Sequence, residues 1–103
     1  MANHATVIVL YPSKEGAKFD LDYYTSTHMV LAEKTWKPHG LLSWKVMTFA
    51  EGPYSVGAEV AFESLAAFQK AMQAPDAKVV ADDVKNFSSV EPVFVVGEDV
   101  KTG

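Results

Sequence analysis

Among the side chains able to move protons, His28 has the most informative surroundings. It lies four residues after Tyr24 and shortly before Leu31 and Ala32, positions that share one face if the segment is helical. An imidazole there titrates near an ordinary pKa of about 6.5 and suits a general acid or base. Tyr24, one turn earlier, is placed to hydrogen-bond the ring or to hold a substrate hydroxyl. Tyr23 is rotated by about 100° from Tyr24 and points elsewhere. The plain structural alternatives are a core histidine bonded to a carbonyl or to Tyr24, and a core tyrosine with its hydroxyl at a rim.

Other chemistries find little support. Zero cysteines exclude disulfides, zinc-thiolate sites and thiol catalysis together, and fit a reducing compartment. His4 and His39 fall near the start of the chain and in a Pro-Gly loop. No two histidines are spaced i,i+4, and no carboxylate shares the His28 stripe, so no metal is expected. Asp20 and Asp22 suit helix capping, and the Asp82-Asp83 pair followed by Lys85 reads as a solvated helix face. The glycines are isolated, with none opening a helix after a strand, so nucleotide cofactors are not indicated and no bound cofactor is expected. Nine Lys plus Arg against thirteen Asp plus Glu, a net charge of -4 without a basic run, argue against a nucleic-acid partner. No apolar run approaches the roughly 20 residues that span a bilayer, and the first residues do not resemble a signal peptide, which makes a cytoplasmic location the expectation.

The elements that must position His28 are readable from periodicity. With 103 residues, 49% of them hydrophobic, the chain is long enough for one domain, residues 1–103, with a filled core. Thr6 to Tyr11 is a β-branched and aromatic strand ending at Pro12, apolar on both faces. A helix follows from Asp20 or Asp22, with Leu21, Tyr24, His28, Leu31 and Ala32 on its stripe and Thr35 and Trp36 near its end, before Pro38 and Gly40. Leu41 to Ala50 and Val56 to Phe62 alternate around Glu51-Gly52-Pro53 as a hairpin. A three-residue turn pairs Leu42 with Phe62, Trp44 with Val60 and Val46 with Ala58 on one face, and Lys45 with Glu59 on the other. Ser64 caps a second helix carrying Leu65, Phe68 and Met72, broken by Pro75, and Asp76 caps a further piece with Val79, Val80, Val84 and Phe87. Val90 to Val96 is the last strand, with Pro92 at a sheet edge or at its start, and the tail from Gly97 is polar and loosely held. Met29, Met47 and Met72 suit a soft apolar pocket or ordinary core filling.

Strand, helix, strand, strand, helix, strand is the order of a ferredoxin-like α+β sandwich. Two helices cover one sheet face, so the apolar second face predicts a homodimer formed sheet to sheet.

The stretch FDLDYYTSTHMVLAEKTWKPHGLLSWKV, together with Tyr11-Pro12, Phe19-Asp20, Tyr24-x-x-x-His28, Leu31, Gly40-Leu41 and the segment from Asp83 to Phe87, resembles the EthD family, named for ethyl tert-butyl ether degradation. That resemblance implies a dimeric α/β barrel with a pocket in each subunit between sheet and helices. Its wider superfamily includes cofactor-independent monooxygenases, dehydratases and cyclases of aromatic polyketides, and haem-handling enzymes. The functional expectation is a small dimeric protein that binds an apolar or aromatic small molecule and acts on it as a cofactor-independent oxidoreductase. His28 is then the acid or base, Tyr24 orients a substrate oxygen, and Trp44, Leu31 and Phe62 form apolar walls. A non-catalytic binding or accessory module is the rival, and haem ligation by His28 ranks last because a lone histidine indicates it weakly.

Overall fold

Residues 3–103 are described by the computed structural model. Strands β1 (Ala5–Pro12), β2 (Leu41–Thr48), β3 (Tyr54–Phe62) and β4 (Val93–Glu98) form one sheet in the order β2-β3-β1-β4, with every neighbouring pair antiparallel. This is the ferredoxin-like α+β arrangement. β4 is an edge strand, and Pro92 immediately precedes it, where a missing N–H costs no ladder bond. The strand continues to Glu98 opposite Ala5, and the Asp99 N–H donates to the His4 carbonyl, so the start of the polar tail is tied down where the sequence suggested loose chain.

The hairpin register is as expected at Trp44–Val60, Lys45–Glu59 and Val46–Ala58, with the Lys45 ammonium 3.8 Å from Glu59. It departs at the far end. A bulge between Leu41 and Ser43 sets Leu41 rather than Leu42 opposite Phe62, so Leu41 is buried and Leu42 is exposed.

One helical arm, residues 21–39, crosses the sheet. Asp20 caps α1 (Leu21–Tyr23) by accepting from the Tyr23 N–H at 3.1 Å. A π-helical turn (Tyr24–His28) follows, closed by the Met29 N–H donating to the Tyr24 carbonyl, and leads into α2 (Met29–Trp36). A 3₁₀ turn (Lys37–His39) then ends at Gly40, whose φ of 104° is left-handed. A Cβ at Gly40 would stand 3.0 Å from that of Ala67, so Gly40→Ala is expected to cost about 1–2 kcal/mol, measurable by denaturant titration.

α3 (Leu65–Gln73) is capped by Ser64, which accepts from the Ala67 N–H at 3.0 Å. α4 (Ala77–Asp83) follows Pro75 and passes into a second 3₁₀ turn (Val84–Asn86). Asp76 precedes α4 without capping it through its side chain; its carboxylate lies 3.8 Å from His39 Nε2.

Both helical layers lie on the face carrying Val7, Val9 and Tyr11, where Tyr24, Phe62 and Phe87 complete an aromatic core. Among the described residues nothing covers the opposite face. Ile8 pairs with Val95 and Leu10 with Val93 across β1 and β4, while the β2–β3 half bears Lys45 and Glu59. Among the described residues no helix is long and apolar enough to cross a membrane.

Candidate active site

The π turn governs what the helical arm presents. Its i→i+5 closure takes up more residues per turn than an α-helix, so everything after it lags by most of one residue's rotation. Tyr24 and His28 stay inward, Met29, Ala32 and Trp36 rotate in with them, and Leu31 rotates off the inner face. A uniform α-helical stripe would have turned Leu31 toward the sheet.

His28 is 5% exposed and lies between two rings. Tyr24 stacks on it at 5.5 Å with 15° between planes, and Phe87 lies tilted at 4.5 Å. Its Nδ1 is 2.9 Å from Asp83 Oδ2. Asp83 is therefore no solvated helix residue: positions 80, 83, 84 and 87 share one face of the α4 region, and that face turns inward. The Tyr23 hydroxyl donates to Asp83 Oδ1 at 2.7 Å and the Asn86 amide donates to the same oxygen at 2.9 Å. Tyr23, which points away from the His28 stripe, thus reaches the carboxylate behind His28.

Burial lowers the His28 pKa below its ordinary 6.5, and the Asp83 hydrogen bond and charge only partly oppose this. For Asp83, burial favours the neutral acid, but the hydrogen bonds from Tyr23, Asn86 and His28 outweigh it and hold the carboxyl below the usual range. At neutral pH the pair is a carboxylate and a neutral imidazole. Because a carboxylate only accepts, Nδ1 carries the proton and Nε2 the lone pair. Among the described residues Nε2 has no hydrogen-bond partner. Trp36 Nε1 is the one fully enclosed side-chain polar atom without a partner among the described residues, so Nε2 is not sealed off. Asp83→Asn removes the opposing influence, and the His28 pKa is expected to fall further, as an NMR titration of its ring protons would show.

His28 stands in the wall of a cavity of about 640 Å³. Its floor is the sheet at Val9, Tyr11, Ala58 and Val60. One side is the helical arm at Tyr24, Met29, Ala32 and Trp36, and the other runs from Met72 near the end of α3 through Pro75 in the connecting loop to Lys78 and Val80 of α4. Phe94, on the helical side of β4 and 61% exposed, stands at the mouth. Burial pushes the Tyr24 phenol up to about 12 and raises that of Tyr11 as well, so both remain protonated donors at neutral pH.

Of the five residues expected at the site, the cavity brings together His28 and Tyr24. Trp44 lies on the same sheet face but on edge strand β2, donating from Nε1 to Glu33 at 3.1 Å, beyond the arm. Phe62, at the far end of β3, packs against Phe68 and Trp36 with ring centroids 5.4 and 6.3 Å away. Trp36, Met29 and Met72 take the apolar places instead, and Met47 does not line the cavity. The signal for Asp83 was an acidic residue on the same helical face as Val80, Val84 and Phe87.

The structure thus defines a ferredoxin-like α+β protein with a histidine–aspartate pair in the wall of a largely apolar cavity. No protein-family model matches the sequence, and no curated protein matches it. Solved structures do. An EthD-like protein from Ralstonia eutropha JMP134 superposes with a TM-score of 0.85 at 24% identity, covering 100% of this chain and 97% of that one. SnoaB, a cofactor-independent oxygenase from Streptomyces nogalater, superposes with a TM-score of 0.73 at 13% identity, covering 98% and 97%. A dimeric ferredoxin-like protein from Thermobifida fusca gives 0.64 at 13% identity, covering 96% and 93%. The likeness to EthD-like proteins read in the sequence is present in the fold.

Proposed function

We propose that the chain is a one-domain EthD-type enzyme in which His28 acts as general base on a hydroxylated aromatic ligand bound in the cavity. The observation that carries this reading is the Asp83–His28 pair: a buried imidazole whose Nδ1 is held by a carboxylate and whose Nε2 has no partner among the described residues beside an apolar cavity. Nε2 takes the hydroxyl proton, and the resulting electron-rich anion is the species that reacts with O2. Tyr24 donates its hydroxyl to a ligand oxygen. No bound cofactor is needed in this scheme, in keeping with the description of SnoaB as a cofactor-independent oxygenase. The apolar half of the bare sheet face, at β1 and β4, supports a homodimer formed through that face, as does the dimeric Thermobifida neighbour.

The test has two stages. Thermal-shift titration with quinols, hydroxylated polycyclic aromatics and small ethers is expected to find a stabilising class, since a ligand bound to the folded state adds RT ln(1 + [L]/Kd). Oxygen uptake is then expected with compounds of that class that carry an acidic hydroxyl. A ligand that stabilises the protein yet undergoes no turnover would establish the accessory-module reading instead, and stabilisation by none of these classes would contradict the proposed ligand.

A further inference from the structure

We propose that the ligand carries one anionic head on its apolar body, as an aromatic acid does, and that Lys78 holds this head at the cavity rim. This inference rests on the cavity being the ligand site. Apart from His28, Lys78 is the only ionisable side chain besides the two tyrosines among the lining residues, and it is exposed where the cavity opens beside α4. Among the described residues it makes no ion pair, although the chain bears a net charge of -4. Asp76, two residues earlier, lies toward His39 at 3.8 Å, and Asp82, one turn later, is not within 4.0 Å of Lys78. A cation without a partner at the mouth of an apolar cavity attracts an anion there more than elsewhere on an acidic surface.

The two ends of the cavity differ in a way that fixes ligand orientation. At the inner wall, Asp83 places a negative charge directly behind a neutral imidazole. A carboxylate or sulfonate near Nε2 would be repelled by Asp83 and desolvated by Tyr24 and Phe87, whereas a neutral hydroxyl can donate to the Nε2 lone pair. The anionic head therefore goes to Lys78, and the protic end of the molecule goes to His28. Because the ammonium is exposed, the head keeps part of its hydration, and the contribution to affinity is modest and salt-sensitive.

Two dyes that differ chiefly by one sulfonate test this: 1-anilinonaphthalene-8-sulfonate and neutral N-phenyl-1-naphthylamine. Fluorescence titration of the whole protein at low ionic strength is expected to show the sulfonate bound about three- to tenfold more tightly than the neutral dye. Lys78→Gln is expected to erase that preference and Lys78→Glu to reverse it, with the neutral dye unchanged in both. Ala81→Trp, at an exposed rim position, is expected to weaken both dyes, which separates cavity binding from dye adhering to the bare sheet face. Equal affinities in the wild type, a preference that survives Lys78→Gln, or sulfonate binding indifferent to Ala81→Trp would each overturn the proposal. If the neutral dye still binds and yields to Ala81→Trp, the cavity reading survives that failure. If neither dye binds, the cavity reading fails and this inference fails with it.

Discussion

Replacing His28 by alanine is expected to slow turnover of a bound hydroxyaromatic ligand by about 10²- to 10⁴-fold, the usual worth of a positioned proton transfer. The loss should appear mainly in kcat, because the cavity walls at Val9, Ala58, Val60 and Met29 are untouched and still hold the apolar body. The pH profile separates this from a packing defect. His28 must be neutral to accept a proton, and burial lowers its pKa, so the wild-type rate is expected to be at its plateau at pH 7 and to fall on acidification with a midpoint below 6.5. The alanine variant should lack that limb. Stability follows the same group with a definite sign: between pH 6.5 and the lower folded-state pKa, the unfolded chain takes up a proton that the folded chain refuses. Stability therefore declines as pH drops through that window. The stabilisation from Asp83, whose pKa is lowered on folding, is retained until the pH falls below its ordinary 3.8. Steady-state kinetics and denaturant titrations of both forms across pH 4–8 measure all of this.

If the chain pairs through its bare sheet face as proposed, Val95→Asp is expected to turn that dimer into a monomer. Val95 is half exposed on the uncovered sheet face, directly opposite Ile8, so a carboxylate there costs the isolated domain little. In a dimer formed through that face the same carboxylate is taken out of water in both copies, without a cation on the β1–β4 half of the face to meet it. Burying an unpaired ion costs several kcal/mol, and two of them raise the dissociation constant by on the order of 10³-fold or more. Sedimentation velocity at micromolar concentration reads this directly: about 22 kDa for the wild type, twice the 11.2 kDa chain, and one chain for the variant. Glu59→Gln, on the polar half of the same face, should leave the dimer in place. A wild-type protein that sediments as a single chain would contradict the proposed interface.

The parts of the fold legible in the sequence are those set by local rules. Asp20 and Ser64 announced their helices because their side chains satisfy N–H groups three residues on. The β2–β3 register followed from turn length and from Lys45 facing Glu59. What escaped was non-local or a departure from ideal periods. A one-residue bulge exchanged Leu41 for Leu42 opposite Phe62, and a single π turn exchanged Leu31 for Met29 and Trp36 at the cavity. Neither irregularity has a strong local signature. Asp83 lies 55 residues from His28, a separation that no spacing pattern bridges, and the adjacent Asp82 made the pair look like surface. The acid–base partner became visible only once α4 was packed against the helical arm.

The proposed chemistry requires His28 to present a bare Nε2 to the cavity while Asp83 holds the proton on Nδ1. The most direct test is a long-range ¹H–¹⁵N NMR spectrum of the His28 ring at pH 7, recorded for the wild type and for Asp83→Asn. Expected are a protonated Nδ1 and an unprotonated Nε2 in the wild type, with the Nε2 resonance moving when a hydroxyaromatic ligand is added and the tautomer preference weakened in Asp83→Asn. A ring protonated on Nε2, or one carrying both protons at pH 7, would contradict it.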